Sequence, residues 1–309
     1  MILISTYVHE FLLSKFSEKN IPVEYHPDIQ NEALIPLLKD ATGLVITTRI
    51  RIDQRLLDAA PKLQWIGRLG SGLELIDLTA LKKRGIEFIS TPEGNCQSVG
   101  EQNLGTLLSL MHKINSSAAE VKNYTWLRNE NRGIELQGKT VGIYGLGHTG
   151  TAFARLLQPF GGLVLAYDKY KSGFANDYIR EADPAQIAKH ADVISFHLPL
   201  TPETRHIANE DFFFRLEKKP ILLNTSRGAI MDTSALIDAL KKGQISGAGL
   251  DVLENEKLNS FLSAERQAFE FLTQHPAVIV TPHIAGYSHE AFYRMSFILI
   301  QKLEALQLL

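Results

Sequence analysis

Short apolar runs, rich in β-branched residues, alternate with amphipathic stretches along most of this chain. Residues 2–5, 23–26, 44–47, 65–68 and 87–90 read as strands, and 31–39 and 53–59 as helices between them. The strand runs are apolar on both faces, as strands covered by helices on both sides must be. The rhythm breaks at 101–112 and 116–127, which read as two long helices with no strand between them. It resumes with strands at 141–144, 163–167, 193–196, 221–224, 248–252 and 278–281, and with helices such as 151–157 and 234–242, the latter ended by Gly243. The chain closes on a helix at 290–306 with no strand after it, free to cap either half. The pattern therefore predicts two α/β domains with parallel sheets, the second beginning near residue 95 and carrying six strands.

Composition narrows the function classes. The chain has 309 residues, 45% hydrophobic and 21% charged, which is enough for two domains with cores of their own. A net charge of −2 lacks the basic excess of a nucleic-acid binder, so no nucleic-acid partner is expected. No apolar run reaches the ~20 residues that cross a bilayer, and the start reads as a first strand, not a leader peptide, so a soluble cytoplasmic protein is expected. A single cysteine, Cys96, excludes an intrachain disulfide and, with no His/Cys cluster, argues against a metal site.

One turn carries specific chemistry. The strand ending at Tyr144 runs into Gly145-Leu146-Gly147-His148-Thr149-Gly150 and then a helix. In a strand–turn–helix context the first glycine makes the tight turn, the second lets backbone approach a pyrophosphate, and the third allows close helix–strand packing. The free N–H groups of the helix start would face the phosphates. Asp168 ends the next strand, 18 residues past Gly150, where an acid hydrogen-bonds ribose hydroxyls and repels a 2′-phosphate. The expected cofactor is NAD.

Further motifs follow in order: His197-Leu198-Pro199-Leu200-Thr201, Asn224-Thr225-Ser226-Arg227-Gly228, Gly249-Leu250-Asp251-Val252 and Thr281-Pro282-His283-Ile284-Ala285-Gly286, preceded by Gly67-Arg68-Leu69-Gly70-Ser71-Gly72 and Thr91-Pro92-Glu93-Gly94-Asn95. With these, nearly the whole chain resembles the D-isomer-specific 2-hydroxyacid dehydrogenases, most of all the phosphoglycerate dehydrogenase branch. The resemblance implies a discontinuous, flavodoxin-like substrate domain (1–94 with 287–309) and a Rossmann NAD-binding domain (95–286), both doubly wound. It implies a cleft that closes on substrate and a homodimer formed through the two long helices. It assigns catalysis to Arg227, Glu256 and His283. Cofactor contacts fall on Gly145, Gly147, His148, Thr149, Gly150, Asp168, His197, Leu198, Pro199, Thr225, Ser226, Asp251, Ala285 and Gly286. His197 is expected to line the cofactor cleft and Asp251 to lie near the nicotinamide. Substrate contacts fall on Arg49, Ser71, Gly72 and Asn95. Two departures stand out: Lys257 follows Glu256 where the family usually has proline, and Glu74-Leu75 replaces an Asp-Asn pair. No regulatory extension of the phosphoglycerate dehydrogenase kind is expected.

These residue types suit hydride chemistry at C2 of a small 2-hydroxy or 2-keto acid. An arginine holds a carboxylate and polarises a carbonyl through its planar fork. A histidine exchanges the hydroxyl proton near neutral pH. A carboxylate fixes that histidine's tautomer and stabilises its cation; by sequence alone Glu254 competes with Glu256 for this role. Backbone N–H groups at Ser71 and Gly72 would form an anion nest. Arg49 would read a substrate phosphate, with a merely solvated arginine the competing reading. The substrate stays open among D-3-phosphoglycerate, hydroxypyruvate or glyoxylate, and D-lactate-like acids. An NAD-sensing regulatory protein on the same fold is the alternative from another class; a formate dehydrogenase, with Gln in place of Glu256, is disfavoured.

Overall fold

The computed structural model describes all 309 residues, which divide into two compact units: Met1–Cys96 with Tyr287–Leu309, and Gln97–Gly286. In the first unit, β1 (Ile2–Ile4), β2 (Val23–Tyr25), β3 (Gly43–Ile46), β4 (Trp65–Arg68) and β5 (Glu87–Ser90) form a wholly parallel sheet in the order β2-β1-β3-β4-β5. That is the flavodoxin-like order. One apolar layer, with Leu34, Leu44, Leu56 and Leu81, covers one face. The other face is covered by Leu12 and Phe16 of the helix Glu10–Glu18 and by Met295, Leu299 and Leu303 of the helix His289–Ala305. The sequence pattern left the C-terminal helix free to cap either half. It packs on the first sheet, where Lys302 also reaches the Ser90 carbonyl and the Glu93 carboxylate at 2.8 Å each.

The second unit contains β6 (Thr140–Tyr144), β7 (Leu163–Tyr167), β8 (Ile179–Glu181), β9 (Val193–Phe196), β10 (Ile221–Asn224), β11 (Gly247–Leu250) and β12 (Val278–Val280), all parallel, in the order β12-β11-β10-β9-β6-β7-β8. The order reverses between β6 and β9, and α/β sheets of this kind bind ligands beyond the strand ends at such a switch point. The sheet has seven strands, not the six that the pattern predicts. The additional strand, β8, is three residues long with only Ile179 buried, too short for an apolar run to show.

The helices correct the pattern in three places. The first long helix spans Pro92–Met111, starting nine residues before the expected 101. Pro92 suits a first helical turn, whereas Gly94 and Gly100 dilute the helical signal behind it. The second spans only Ile114–Lys122, because the chain turns out at Tyr124 with φ +58°. The helix after the glycine turn begins at His148, not 151, so His148, Thr149 and Gly150 form its first turn. The stretch 31–39 is one short helix, Asn31–Leu34, continued as a 3-10 turn, Ile35–Asp40, in which Pro36 cannot donate to an α-helical ladder.

Local signals fix the remaining boundaries. Asp183 caps the helix Pro184–His190 by accepting from the Gln186 N–H at 2.8 Å, and Gln186 returns a bond to the Asp183 N–H at 2.9 Å. Reciprocal caps of this kind contribute about 1 kcal/mol. Asp183→Ala should lower the urea midpoint by an amount equivalent to about 1 kcal/mol at an unchanged slope; an unchanged midpoint would show that the cap adds nothing here.

Candidate functional site

The site of the second unit is built on the ends of β6, β7, β9, β10, β11 and β12. At the end of β6, Gly145 has φ +91°, which L side chains rarely adopt, and a Cβ there would stand 2.4 Å from the His197 carbonyl. A Cβ on Gly150 would lie 2.1 Å from the Gly145 carbonyl, so the helix His148–Leu157 can sit this close only on glycine. Around Gly147 the space is open, and the helix has no side-chain cap at its N-terminus. The turn thus offers exposed N–H donors and room for an anion. Asp168 stands beside it: Oδ2 accepts from the Leu146 N–H at 2.9 Å and Oδ1 from the Tyr170 N–H at 3.0 Å. Lys171 reaches the Leu146 carbonyl at 2.8 Å, while Lys169 pairs with Glu203 at 2.5 Å. This combination of close-packed glycines, an uncapped helix start and an acid at the next strand end fits a dinucleotide.

His197 lies beside the glycine turn. Its ring is buried, with Nε2 2.9 Å from Ser195 Oγ and Nδ1 3.1 Å from Thr149 Oγ1. Burial pushes its pKa down to about 3, so the ring stays neutral and its nitrogens are already occupied. Through Thr149 it supports the first turn of the helix that follows the glycine turn. Leu198 joins the apolar layer beneath the sheet, and the Pro199 carbonyl accepts from Thr204 Oγ1 at 2.6 Å.

At the end of β10 a buried asparagine shapes the loop. Asn224 Nδ2 donates to the Arg227 carbonyl at 2.9 Å, and its Oδ1 accepts from the Ser226 N–H at 3.1 Å and hydroxyl at 2.8 Å. Thr225 is held from the helix Pro92–Met111 by Asn103 Nδ2 at 2.9 Å. The arginine itself donates from Nη1 to the Ser226 carbonyl at 2.7 Å. Sequence reasoning gave no role to Asn224 or Asn103. A polar residue closing the apolar run Ile-Leu-Leu-Asn was the available signal for the first; the second lies mid-helix with no pattern to mark it.

Asp251, at the end of β11, is 2% exposed. Oδ1 accepts from Thr281 Oγ1 at 2.5 Å and the Ile284 N–H at 2.9 Å; Oδ2 accepts from the Ala285 N–H at 2.8 Å. Both oxygens are therefore committed to the segment 281–285. Besides its expected place near a nicotinamide, this carboxylate scaffolds the segment 281–285, because a buried carboxylate must gather donors where it finds them. Ala285 is buried and, with Gly286, closes this segment; its carbonyl accepts from Ser98 Oγ at 2.7 Å.

His283 stands inside that segment with φ +55°, its N–H bonded to the Asp251 carbonyl at 2.8 Å and the Thr281 carbonyl at 3.0 Å. Its Nδ1 lies 2.9 Å from Glu256 Oε2. The pKa of His283 is raised above the usual imidazole value, first by this hydrogen bond, against partial burial, and further by the charges of Glu256 and Asp251; Arg227 opposes the rise. With Nδ1–H donating to the carboxylate, Nε2 is left to gain or lose a proton. The competing carboxylate, Glu254, points elsewhere, to His206 at 2.6 Å and to Thr233 Oγ1 at 2.6 Å.

Buried Arg68 donates to the Gly72 carbonyl at 3.0 Å and the Leu69 carbonyl at 2.5 Å, and Gly70 turns with φ +122°. The loop bearing Ser71 and Gly72 thus has its carbonyls drawn inward. Asn95 lies in the first turn of the helix Pro92–Met111, with its Oδ1 buried and unpartnered. Arg49 Nη2 donates to the Ser5 carbonyl at 3.0 Å and to the Pro27 carbonyl, and Nη1 stands 4.0 Å from Asp28. Cys96 donates its thiol to the Glu93 carbonyl at 3.2 Å.

Residues 104–285 match the family model of the D-isomer specific 2-hydroxyacid dehydrogenase NAD binding domain. The chain is 34% identical over 295 residues to D-3-phosphoglycerate dehydrogenase of Methanocaldococcus jannaschii, covering 94% of this chain and 54% of that protein. It is 34% identical over 266 residues to human D-3-phosphoglycerate dehydrogenase, covering 85% and 48%. It spans about half the length of these relatives. Among solved structures, D-lactate dehydrogenase of Aquifex aeolicus, complexed with NAD and lactic acid, superposes with a TM-score of 0.85 at 27% identity over 99% of this chain and 95% of that one.

The contact between the Arg227 and Glu256 loops gives a structural test. A Cβ on Gly228 would lie 1.9 Å from the Leu253 carbonyl carbon. Gly228→Ala must part the two loops, and we expect it to cost about 1–3 kcal/mol in stability together with a large loss of turnover. Wild-type stability and turnover would mean that this close approach is dispensable.

Proposed function

The chain belongs to the D-isomer specific 2-hydroxyacid dehydrogenases, and from that premise we propose that it is an NAD-dependent oxidoreductase acting at C2 of a small D-2-hydroxy acid or its 2-keto counterpart. The observation that carries this reading is the His283 Nδ1–Glu256 Oε2 contact of 2.9 Å on the same rim of the sheet as Arg227 and the glycine turn. Gly145, Gly147, His148, Thr149 and Gly150 would hold the pyrophosphate and Asp168 the ribose, with Leu198, Pro199, Thr225, Ser226, Ala285 and Gly286 along the rest of the cofactor. The bound nicotinamide supplies or accepts the hydride. Arg227 would hold the substrate carboxylate and polarise the carbonyl. His283 Nε2 gives the proton to the nascent alkoxide in reduction and takes it in oxidation. Glu256 keeps the Nδ1–H tautomer and stabilises the imidazolium. Ser71, Gly72 and Asn95 are proposed substrate contacts; the unpartnered Asn95 Oδ1 has acceptor capacity to offer.

D-3-phosphoglycerate is the substrate we favour, on the strength of the phosphoglycerate dehydrogenase relatives. One observation favours an unphosphorylated acid such as lactate, hydroxypyruvate or glyoxylate instead: Arg49 already donates to two backbone carbonyls. Arg49→Ala decides between them. If Arg49 reads a phosphate, KM for phosphohydroxypyruvate rises while that for glyoxylate stays put; equal effects on both remove the argument for a phosphorylated substrate.

We propose a cytoplasmic homodimer joined through the surface around the helix Ile114–Lys122. Ile114, Val121, Tyr124, Trp126 and Ile134 are exposed there, an apolar patch of the kind that marks an interface. No helix is long and apolar enough to cross a membrane.

Cofactor choice is tested at Asp168. NADH should be preferred over NADPH, and Asp168→Ser should narrow the preference by removing repulsion of a 2′-phosphate; a wild type that prefers NADPH would refute the placement. The acid–base assignment is tested by pH. Because the pKa of His283 is raised, kcat/KM for reduction falls as pH rises through that value, and for oxidation rises through it. Glu256→Gln removes the charge that raises it, so both limbs move to lower pH. His283→Ala should cost on the order of 10²–10⁴ in rate while NADH binding persists. NADH binding without turnover on any 2-keto acid would return the chain to a regulatory reading.

A further inference from the structure

Glu256 sits on a stretch, 251–262, whose only regular element is the 3-10 turn Leu258–Ser260. No strand ladder fixes the carboxylate, so side chains must. Two residues earlier, Glu254 Oε2 accepts from the Thr233 N–H at 3.0 Å and from Thr233 Oγ1 at 2.6 Å, and Oε1 lies 2.6 Å from His206 Nε2. Thr233 opens the helix Thr233–Lys241, where a carboxylate meets free N–H groups and the positive end of the dipole. His206 comes from the loop after β9 and is held with φ +51° by its N–H bond to the Ala229 carbonyl at 2.8 Å. The charged groups around His206 are Glu254 and, at 3.9 Å, Asp232; those around His283 are Glu256, Asp251 and Arg227. On the far flank, Asn255 donates to Glu265 at 2.9 Å and accepts from the Lys257 N–H at 3.0 Å, so the segment is braced on both sides of Glu256.

We propose that Glu254, clamped between His206 and Thr233, is a positioning residue that sets Glu256 against His283. The inference rests on the reading of Glu256 and His283 as the acid–base pair. Its physical content is leverage: one residue separates the two glutamates, and Gly228 presses the Leu253–Glu254 backbone onto the Arg227 loop. Releasing Glu254 lets Glu256 drift, and His283 then loses its carboxylate partner without any change to either residue. A misplacement of about 1 Å in such a site is enough for losses up to the order of 10²-fold.

The test uses the full-length protein, NADH and phosphohydroxypyruvate, with glyoxylate in parallel, profiled across about pH 5–9. Glu254→Ala should lower kcat on the order of tenfold or more and shift the reductive limb toward lower pH, as Glu256→Gln does, while the Kd for NADH holds. His206→Gln, which keeps a side-chain N–H for Glu254, should recover most of what His206→Ala loses. If Glu254→Ala fails to fold, Glu254→Gln takes its place: it keeps an acceptor for Thr233, loses the charge facing His206, and should shift the limb the same way by less. A limb left in place by the folded Glu254 variant, beside a Glu256→Gln limb that moves, overturns the positioning part alone. A Glu256→Gln limb that does not move overturns the acid–base reading, and the positioning part with it.

Discussion

The buried carboxylate of Asp251 is the constraint from which the rest of the site hangs. A carboxylate 2% exposed at the end of β11 is costly unless it is saturated with donors, and here it takes the Thr281 hydroxyl and the N–H groups of Ile284 and Ala285. Those three donors flank His283, whose own N–H bonds the Asp251 carbonyl. The left-handed backbone of His283 is a conformation that non-glycine residues rarely hold unless the surroundings over-determine it. Asp251 supplies that over-determination. Its charge also works with Glu256 to raise the pKa of His283, so one buried group both places the histidine and tunes it.

The two histidines of the strand-end motifs show how environment divides chemistry between like residues. His197 is walled in, neutral, and spent on Ser195 and Thr149; His283 is half-exposed, paired with a carboxylate, and biased toward its cation. Only the second can exchange a proton with solvent or substrate near neutral pH. In the proposed reaction that division leaves the glycine turn on a rigid, uncharged support at β6 and β9 while the proton is handled beyond the ends of β11 and β12.

Much of this was legible in the sequence because the features involved are local. The strands Trp65–Arg68, Leu163–Tyr167, Val193–Phe196 and Ile221–Asn224 have the bounds that their apolar runs predict, since a strand covered on both faces leaves little polar pattern to blur its ends; the edge strand Glu87–Ser90 keeps its predicted bounds with only Ile89 buried. The glycine turn was legible because its geometry admits few other residues. What the sequence hid depends on distant partners. Glu254 and Glu256 are equivalent by pattern, and only the arrival of Thr233 and His206 on one and His283 on the other separates them. The scaffolding by Asp251 was hidden too, because its donors come from 30 and more residues away. β8 and the early start of the helix Pro92–Met111 were lost to brevity and to glycine.

Whether Glu256 holds His283 as a poised acid is tested by an NMR titration of the His283 ring in the wild type and in Glu256→Gln. His283 should titrate above the usual imidazole value of about 6.5 in the wild type and at a lower pH in the variant, with the Nδ1–H tautomer dominant in the neutral form. A wild-type His283 that titrates at or below that value, unmoved by Glu256→Gln, would contradict it.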